Sequence, residues 1–214
     1  MKSILGRFKL LFTTILILLA VTAISQQVKH KSGAKTMSSQ LKAFYQLTAE
    51  ANVEFIYPPG FKEIPAINNE NFSFDYAMVL PGYDFEIWFR VRSQKRNWED
   101  YQRYSTDTAR RIENPDSLYN KIGPAQAVSF TGDKNYFTTI IPQDVLARYN
   151  ATAGKTYLLN LLDMRETKHY KYALLITLQK DHIGTIVAVC FANDKGADFF
   201  KNIGKASKCL KFKP

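Results

Sequence analysis

The stretch FSFDYAMVLPGYDFEIWFRVR, residues 72–92, decides the fold because large apolar side chains alternate with other residues on both sides of a proline–glycine pair. Alternation with a period of two is typical of a β-strand with one buried face, and Pro81-Gly82 indicates a turn. Since proline does not fit a tight two-residue hairpin turn, we expect a loop of four residues, 80–83. The stretch therefore predicts a β-hairpin.

The position of the turn also predicts which side chains share a face of the hairpin. A turn centred on Pro81-Gly82 places apolar pairs on one face: Phe74 with Phe89, Tyr76 with Ile87, and Met78 with Phe85. A slip by one residue would move every side chain to the other face, whereas a slip by two would not. The turn therefore predicts both the pairing of the strands and the face on which each side chain lies.

The second face of the hairpin carries the candidate ligand-binding residues: Glu86, Trp88, Arg90 and Arg92. A large aromatic ring among arginines suits an anionic or glycan ligand, or a protein partner. In the alternative interpretation, the helix expected from Asn97 onwards packs over Trp88, because sheets of α+β proteins are commonly covered on both faces. The sequence leaves both interpretations open.

The remainder of the chain adds further strands and helices. Runs 156–164, 170–179 and 185–192 predict strands, and the last two are apolar on both faces, as central strands are. Short helices are expected near Ser38 or Ser39, from Asn97, from near Pro142 to an end at Gly154, and from Asp194. We expect a single α+β domain over residues 37–214, with a central antiparallel sheet of about six strands and helices packed on both faces.

The first 25 residues predict a secretory signal peptide. Three basic residues precede an uncharged, largely apolar run at 10–23, and a small-x-small pattern predicts cleavage after Ser25. The alternative, an uncleaved membrane anchor, needs about 20 apolar residues. We therefore expect no stable membrane anchor after cleavage, a flexible leader at 26–36, and a periplasmic or secreted protein.

The charge of the chain bears on its partners. The formal net charge is +10, and the signal segment holds three basic residues and no acidic one, which leaves +7 on the remainder. Export makes nucleic acid an improbable partner, so anionic envelope glycans or an envelope protein are the expected ones. The alternative is a solvated basic surface that only keeps the protein soluble.

The two cysteines, Cys190 and Cys209, allow two interpretations. In an oxidising compartment they can form a disulfide that closes a short C-terminal loop. Alternatively they are two buried free thiols, because Cys190 lies in an apolar run where cysteine acts as a small core residue. A cysteine zinc site is excluded, since there is no second pair of cysteines.

Motifs for catalysis or cofactor binding are weak. The run AGKT at 153–156 matches the tail of a phosphate-binding loop, but Tyr149 replaces the glycine that such a loop needs. Asp163, Glu166 and His169 have the spacing of metal ligands on a helix, yet they fall in an expected turn. No Gly-x-Ser-x-Gly motif occurs. We expect no catalytic residue, no metal and no cofactor.

The stretch FIYPPGFKEIP at 55–65, the hairpin at 71–92 and the late pair at 172–179 and 184–193 resemble, in their order, small exported bacterial proteins of the PsbP-like fold. That fold, an antiparallel sheet between helices, is shared by an extrinsic photosystem subunit and a nuclear-import factor. The resemblance implies a non-enzymatic binding or assembly role and transfers no catalytic residue. The alternative function is a small secreted hydrolase with an unrecognised active site.

Overall fold

A computed structural model describes residues 37–107, 109–110 and 112–214, so the expected signal peptide 1–25 and leader 26–36 lie outside the described residues. The helices are α1 (Ser39–Glu50), α2 (Lys95–Tyr104), α3 (Tyr119–Thr131), α4 (Gln143–Arg148) and α5 (Ala197–Ala206), with a 3-10 turn at Pro115–Ser117. None of these helices has the length and apolar character needed to cross a bilayer.

The strands form one large sheet and one small sheet. They are β1 (Val53–Phe55), β2 (Lys62–Ile64), β3 (Tyr76–Val79), β4 (Glu86–Ser93), β5 (Phe137–Ile140), β6 (Ala153–Asn160), β7 (Tyr172–Lys180), β8 (Gly184–Ala192) and β9 (Leu210–Phe212). The large sheet has seven antiparallel strands in the order β2-β3-β4-β8-β7-β6-β5, and β1 pairs with β9. The expected α+β fold with a central antiparallel sheet is confirmed, with seven strands in place of about six.

The predicted hairpin is present as β3 and β4, with its pairing shifted by two residues. Tyr76 pairs with Phe89 and Met78 with Ile87. The Leu80 N–H donates to the Phe85 carbonyl at 3.0 Å, which closes the loop over residues 81–84. Because the shift is by two, the side chains of β3 and β4 keep their predicted faces.

The face predicted for Phe74 is wrong. The chain bends at Asp75, whose carboxylate accepts a hydrogen bond from the Val91 N–H at 2.8 Å. On the N-terminal side of this bend, the large apolar side chains lie on the opposite face of the sheet. Phe74 therefore packs against Trp88, with ring centroids 5.2 Å apart, on the face away from Tyr76. The alternation of apolar residues in the sequence could not predict this bend, because a hydrogen bond to the Asp75 carboxylate stabilises it.

Apolar clusters lie on both faces of the large sheet. On the first face, Phe44 of α1 stacks on Tyr76, and α5 and the β1–β9 pair complete the layer. On the second face, Phe130 of α3 packs against Trp88 and Phe191. Helices therefore cover both faces, as expected.

Two local predictions are corrected. The helix expected from Asn97 begins at Lys95, buries no residue and does not cover the sheet. Gly154, expected to end a helix, lies inside β6. A Cβ atom at Gly154 would come within 2.8 Å of the Thr177 carbonyl oxygen, so close strand packing explains this glycine.

Candidate functional site

The structure places the four predicted binding residues on one face of β4, as the alternation predicts, but this face is the second core layer. Glu86 and Trp88 are each only 2% exposed, whereas Arg90 is half-buried and Arg92 is exposed. The four residues therefore separate into a buried pair and a surface pair.

Trp88 belongs to the core beneath α3. Its ring lies 4.5 Å from that of Phe191 and 6.4 Å from that of Phe130, measured between centroids. A helix covers Trp88, but it is α3, so the interpretation that the helix from Asn97 packs over Trp88 is wrong. The interior of α3 contains Pro124, which is unfavourable in a helix, so the pattern at 119–131 gave no helix prediction.

Glu86 is a buried carboxylate with two donors. Its Oε1 accepts a hydrogen bond from Trp88 Nε1 at 2.5 Å, and its Oε2 accepts one from Lys168 Nζ at 2.7 Å. Lys168 reaches Glu86 from the β6–β7 loop, residues 161–171. Because a buried carboxylate without a partner charge costs several kcal/mol, Lys168 makes this burial tolerable.

This ion pair forms the base of an open depression of about 490 Å³, named here the Glu86 depression. Its lining combines an apolar wall with a charged rim: Pro65, Ala66, Ile67, Glu86, Trp88, Arg165, Glu166 and Lys168. A mostly apolar wall with a few fixed polar groups is the usual composition of a ligand site.

The loop that supplies the rim holds a strained backbone. Lys168 and His169 are consecutive residues in the left-handed region, with φ of 53° and 61°. Hydrogen bonds from Lys168 N–H to the Arg165 carbonyl at 2.9 Å and from His169 N–H to the Met164 carbonyl at 3.0 Å hold this conformation. Such strain costs of order 1–3 kcal/mol per residue and concentrates at functional sites.

A second open depression, of about 600 Å³, lies against the same loop. Here His169 Nδ1 lies 2.5 Å from Asp163 Oδ1, and both side chains are exposed. Glu166 lines the Glu86 depression instead, so the structure does not bring together the three residues with metal-ligand spacing. Within the described ranges, no group of three His, Cys, Asp or Glu side chains is placed to hold a metal ion.

Tyr170 lines the second depression and stacks on Phe191 at 5.7 Å. Burial, followed by the charges of Glu86 and Asp84, raises the pKa of Tyr170 to about 12. The phenol therefore stays protonated well into alkaline solution, and its O–H is able to donate a hydrogen bond.

Arg90 and Arg92 stabilise the bend before β3. Arg92 donates two hydrogen bonds to the Asp75 carboxylate, at 2.6 and 2.8 Å. The Arg90 guanidinium lies 5.9 Å from the Phe74 ring centroid, and burial, followed by the charge of Arg92, lowers its pKa. Both arginines have structural contacts that account for their positions.

Cys190 and Cys209 are both free and buried. They line the same apolar cavity of about 50 Å³ between the large sheet and α5. Burial raises the pKa of Cys209 to about 12 and that of Cys190 further. Both are therefore protonated thiols at neutral pH, which makes them poor nucleophiles.

No family model and no curated protein gives a significant match to this sequence, so the candidate site rests on its geometry. Sequence reasoning missed Arg165 and Lys168 as site residues. Lys168 is 82 positions from Glu86, and no pattern in the sequence connects them. The nearest signal was the mixed charge of the loop, which is also typical of a solvated turn.

Proposed function

We propose that this chain is an exported, non-catalytic binding or assembly module of a bacterial envelope, and that the Glu86 depression is its ligand site. One observation carries the proposal: a strained loop holds Lys168 on the buried carboxylate of Glu86 at the base of a depression with an apolar wall. Binding sites commonly combine strain, burial of charge and concavity.

The lining of the depression supports an anionic glycan as the ligand class. Arg165 supplies a planar donor for a carboxylate, and Glu166 accepts hydrogen bonds from hydroxyl groups. The wall at Pro65, Ala66 and Ile67 offers an apolar surface to a sugar ring. The basic net charge of the chain raises the local concentration of an anionic ligand. An acidic segment of an envelope protein is the other partner that these groups suit.

The open shape of both depressions supports binding over hydrolysis. In the part of the chain that the structure describes, the Asp163–His169 pair is the feature that favours the alternative, a small secreted hydrolase, because a carboxylate can orient an imidazole as a general base. Yet among the described residues, no serine, threonine or cysteine side chain donates to His169. The resemblance to proteins of the PsbP-like fold also supports an assembly role.

Titration calorimetry tests the proposal with the purified protein, a uronic-acid oligosaccharide and a neutral glucose oligosaccharide of equal length. We expect binding of the uronic-acid probe alone. Arg165→Ala should weaken it by about tenfold or more, since a charge-assisted hydrogen bond contributes roughly 1.5–3 kcal/mol.

Arg148→Ala is the matched control, because Arg148 is an exposed arginine of α4 that lines neither depression. Equal losses with both variants would show binding to surface charge in general and would contradict a site at the Glu86 depression. Cleavage of the probe, abolished by His169→Ala, would favour the hydrolase instead.

A further inference from the structure

Within the described part of the chain, no strand pairs with the outer edge of the large sheet at β5. This strand, Phe137–Ile140, is the last in the sheet order and, among the described residues, pairs with β6 alone. Phe137 and Ile140 are 71% and 72% exposed, the highest values of any large apolar side chain described. An edge strand of this kind is open to pairing with another strand.

The pairing with β6 shows which backbone groups of β5 are free. Ile141 N–H donates to the Gly154 carbonyl at 3.0 Å, and Thr139 lies opposite Thr156. In an antiparallel pair the N–H and C=O groups of alternate residues point to the same side. The backbone N–H and C=O groups of Thr139 and Ile141 therefore point towards β6, whereas those of Thr138 and Ile140 point away from the sheet.

The opposite edge, β2, is protected in two ways that the described residues do not provide at β5. It carries Lys62 and Glu63, and the Gln40 side chain donates to the Ile64 carbonyl and accepts from the Ala66 N–H, each at 2.9 Å. Around β5, residues 135–143 contain no charge at all, in a chain of net charge +10. Proteins commonly prevent edge pairing with charged side chains, so an uncharged edge of this kind favours pairing with another strand.

We propose that β5 pairs antiparallel with β5 of a second copy of this chain, about a twofold axis at Thr139. Thr138 of each copy then exchanges two hydrogen bonds with Ile140 of the other, which satisfies the free backbone groups on both edges. The side chains of Phe137 and Ile140 lose exposure on both copies. A twofold interface of this kind is closed and does not propagate into a fibre.

The absence of charge in segment 135–143 favours a second copy over a foreign charged strand. Two chains of net positive charge repel one another, and the neutral segment 135–143 is where they can meet without burying a charge. A charged strand from another protein would find no opposite charge in that segment. Because β5 has only four residues, the interface is small, and we expect a dissociation constant of roughly micromolar order.

Sedimentation velocity over a range of concentrations tests the dimer with the full purified chain. We expect a monomer–dimer equilibrium that Ile140→Lys shifts to monomer, because it places a charge on each facing edge. Ile56→Lys is the matched control, since Ile56 is also exposed (54%) but lies after β1, away from β5. A chain that stays monomeric up to about 1 mM, or a dimer unaffected by Ile140→Lys, would overturn the proposal.

Cysteine cross-linking tests the register. At the twofold axis, Thr139 faces its own copy at the short spacing of a non-hydrogen-bonded pair, within disulfide reach. Thr139→Cys should therefore oxidise to a covalent dimer faster than Thr138→Cys, and the native cysteines do not compete because both are buried. Equal rates for the two variants would contradict this register.

Discussion

At the scale of single residues, the most unusual feature is the ion pair between Lys168 and the buried carboxylate of Glu86. The Lys168 ammonium group lies 2.7 Å from a carboxylate that is 98% buried, while the lysine side chain is about half exposed. The pair stabilises the β6–β7 loop against β4 and fixes the base of the Glu86 depression. Its stability contribution is smaller than that of a fully buried pair because water screens the lysine.

Lys168→Met should lower the free energy of unfolding by about 1–3 kcal/mol, because it leaves a buried carboxylate with Trp88 as its remaining donor. Urea unfolding at neutral pH measures the change. Adding Glu86→Gln to Lys168→Met should recover part of the loss, since the neutral amide costs less to bury. If the double variant loses at least as much unfolding free energy as the two single variants lose together, the ion pair does not couple the loop to β4.

Gly123 lies where the backbone of α3 approaches Tyr157 of β6 closely. A Cβ atom there would lie 2.4 Å from the Tyr157 hydroxyl oxygen, and Tyr157 is itself buried. Gly123→Ala should therefore destabilise the fold by about 1–3 kcal/mol through overpacking. Thermal unfolding measures the change. Gly204→Ala in α5 is the control, since a Cβ atom there meets nothing within 4 Å, and it should be neutral or stabilising by up to about 1 kcal/mol. Equal effects at both glycines would contradict the packing argument.

Among the helices that the structure describes, α2 is the one that buries no residue. Its Trp98 ring stacks on the His182 ring in the β7–β8 turn, 3.7 Å between centroids. The Asp116 carboxylate in the 3-10 turn accepts a hydrogen bond from the His182 backbone N–H through Oδ1. Its Oδ2 atom lies 2.7 Å from the His182 Nδ1. One histidine thus connects three surface elements.

His182→Ala should release α2 without unfolding the sheet, because the core clusters do not include His182. We expect amide hydrogen exchange in residues 95–104 to accelerate by more than tenfold, while exchange in β7 and β8 stays unchanged. His169→Ala, which removes the other described histidine, should leave α2 as it is. Unchanged exchange in α2 after His182→Ala would show that other contacts hold this helix.

The helices and strands that could be predicted from the sequence are those with a strong pattern of apolar residues within one short segment. The β3–β4 hairpin follows from its alternation, and β7 and β8 follow from apolar runs joined by a short turn. The sequence could not predict α3, because Gly123 and Pro124 conceal a helix whose glycine is required by Tyr157 across the interface. It could not assemble the Glu86 depression either, since Lys168 meets Glu86 only through the tertiary fold.

For the molecule as a whole, two thiols and two phenols stay protonated in the folded state at alkaline pH values where the unfolded chain has released those protons. Burial raises the pKa of Cys209 and of Tyr170 to about 12 each, and raises those of Cys190 and Tyr76 still further. The unfolded chain releases these protons at lower pH than the folded chain does. The folded state therefore binds more protons in alkaline solution, and its stability must fall as the pH rises.

Chemical denaturation between pH 8 and 12 tests this prediction. The free energy of unfolding should be level below about pH 8.5 and then fall, with a slope of up to about 1.4 kcal/mol per pH unit for each group. Cys209→Ala should reduce the slope between pH 9 and 11, whatever it does to stability at neutral pH. A slope unaffected by this variant would contradict the protonated, buried state of the thiol.

The most direct test of the Glu86 depression as a ligand site uses the two tryptophans of the chain. In an amide correlation spectrum of the purified protein, each contributes one indole N–H signal. Trp88 donates that proton to Glu86 at the base of the depression, whereas Trp98 lies on α2 against His182. On titration with a uronic-acid oligosaccharide, we predict a saturable shift of the Trp88 signal with the Trp98 signal unmoved. Saturable binding that leaves the Trp88 signal in place would contradict the assignment of this site.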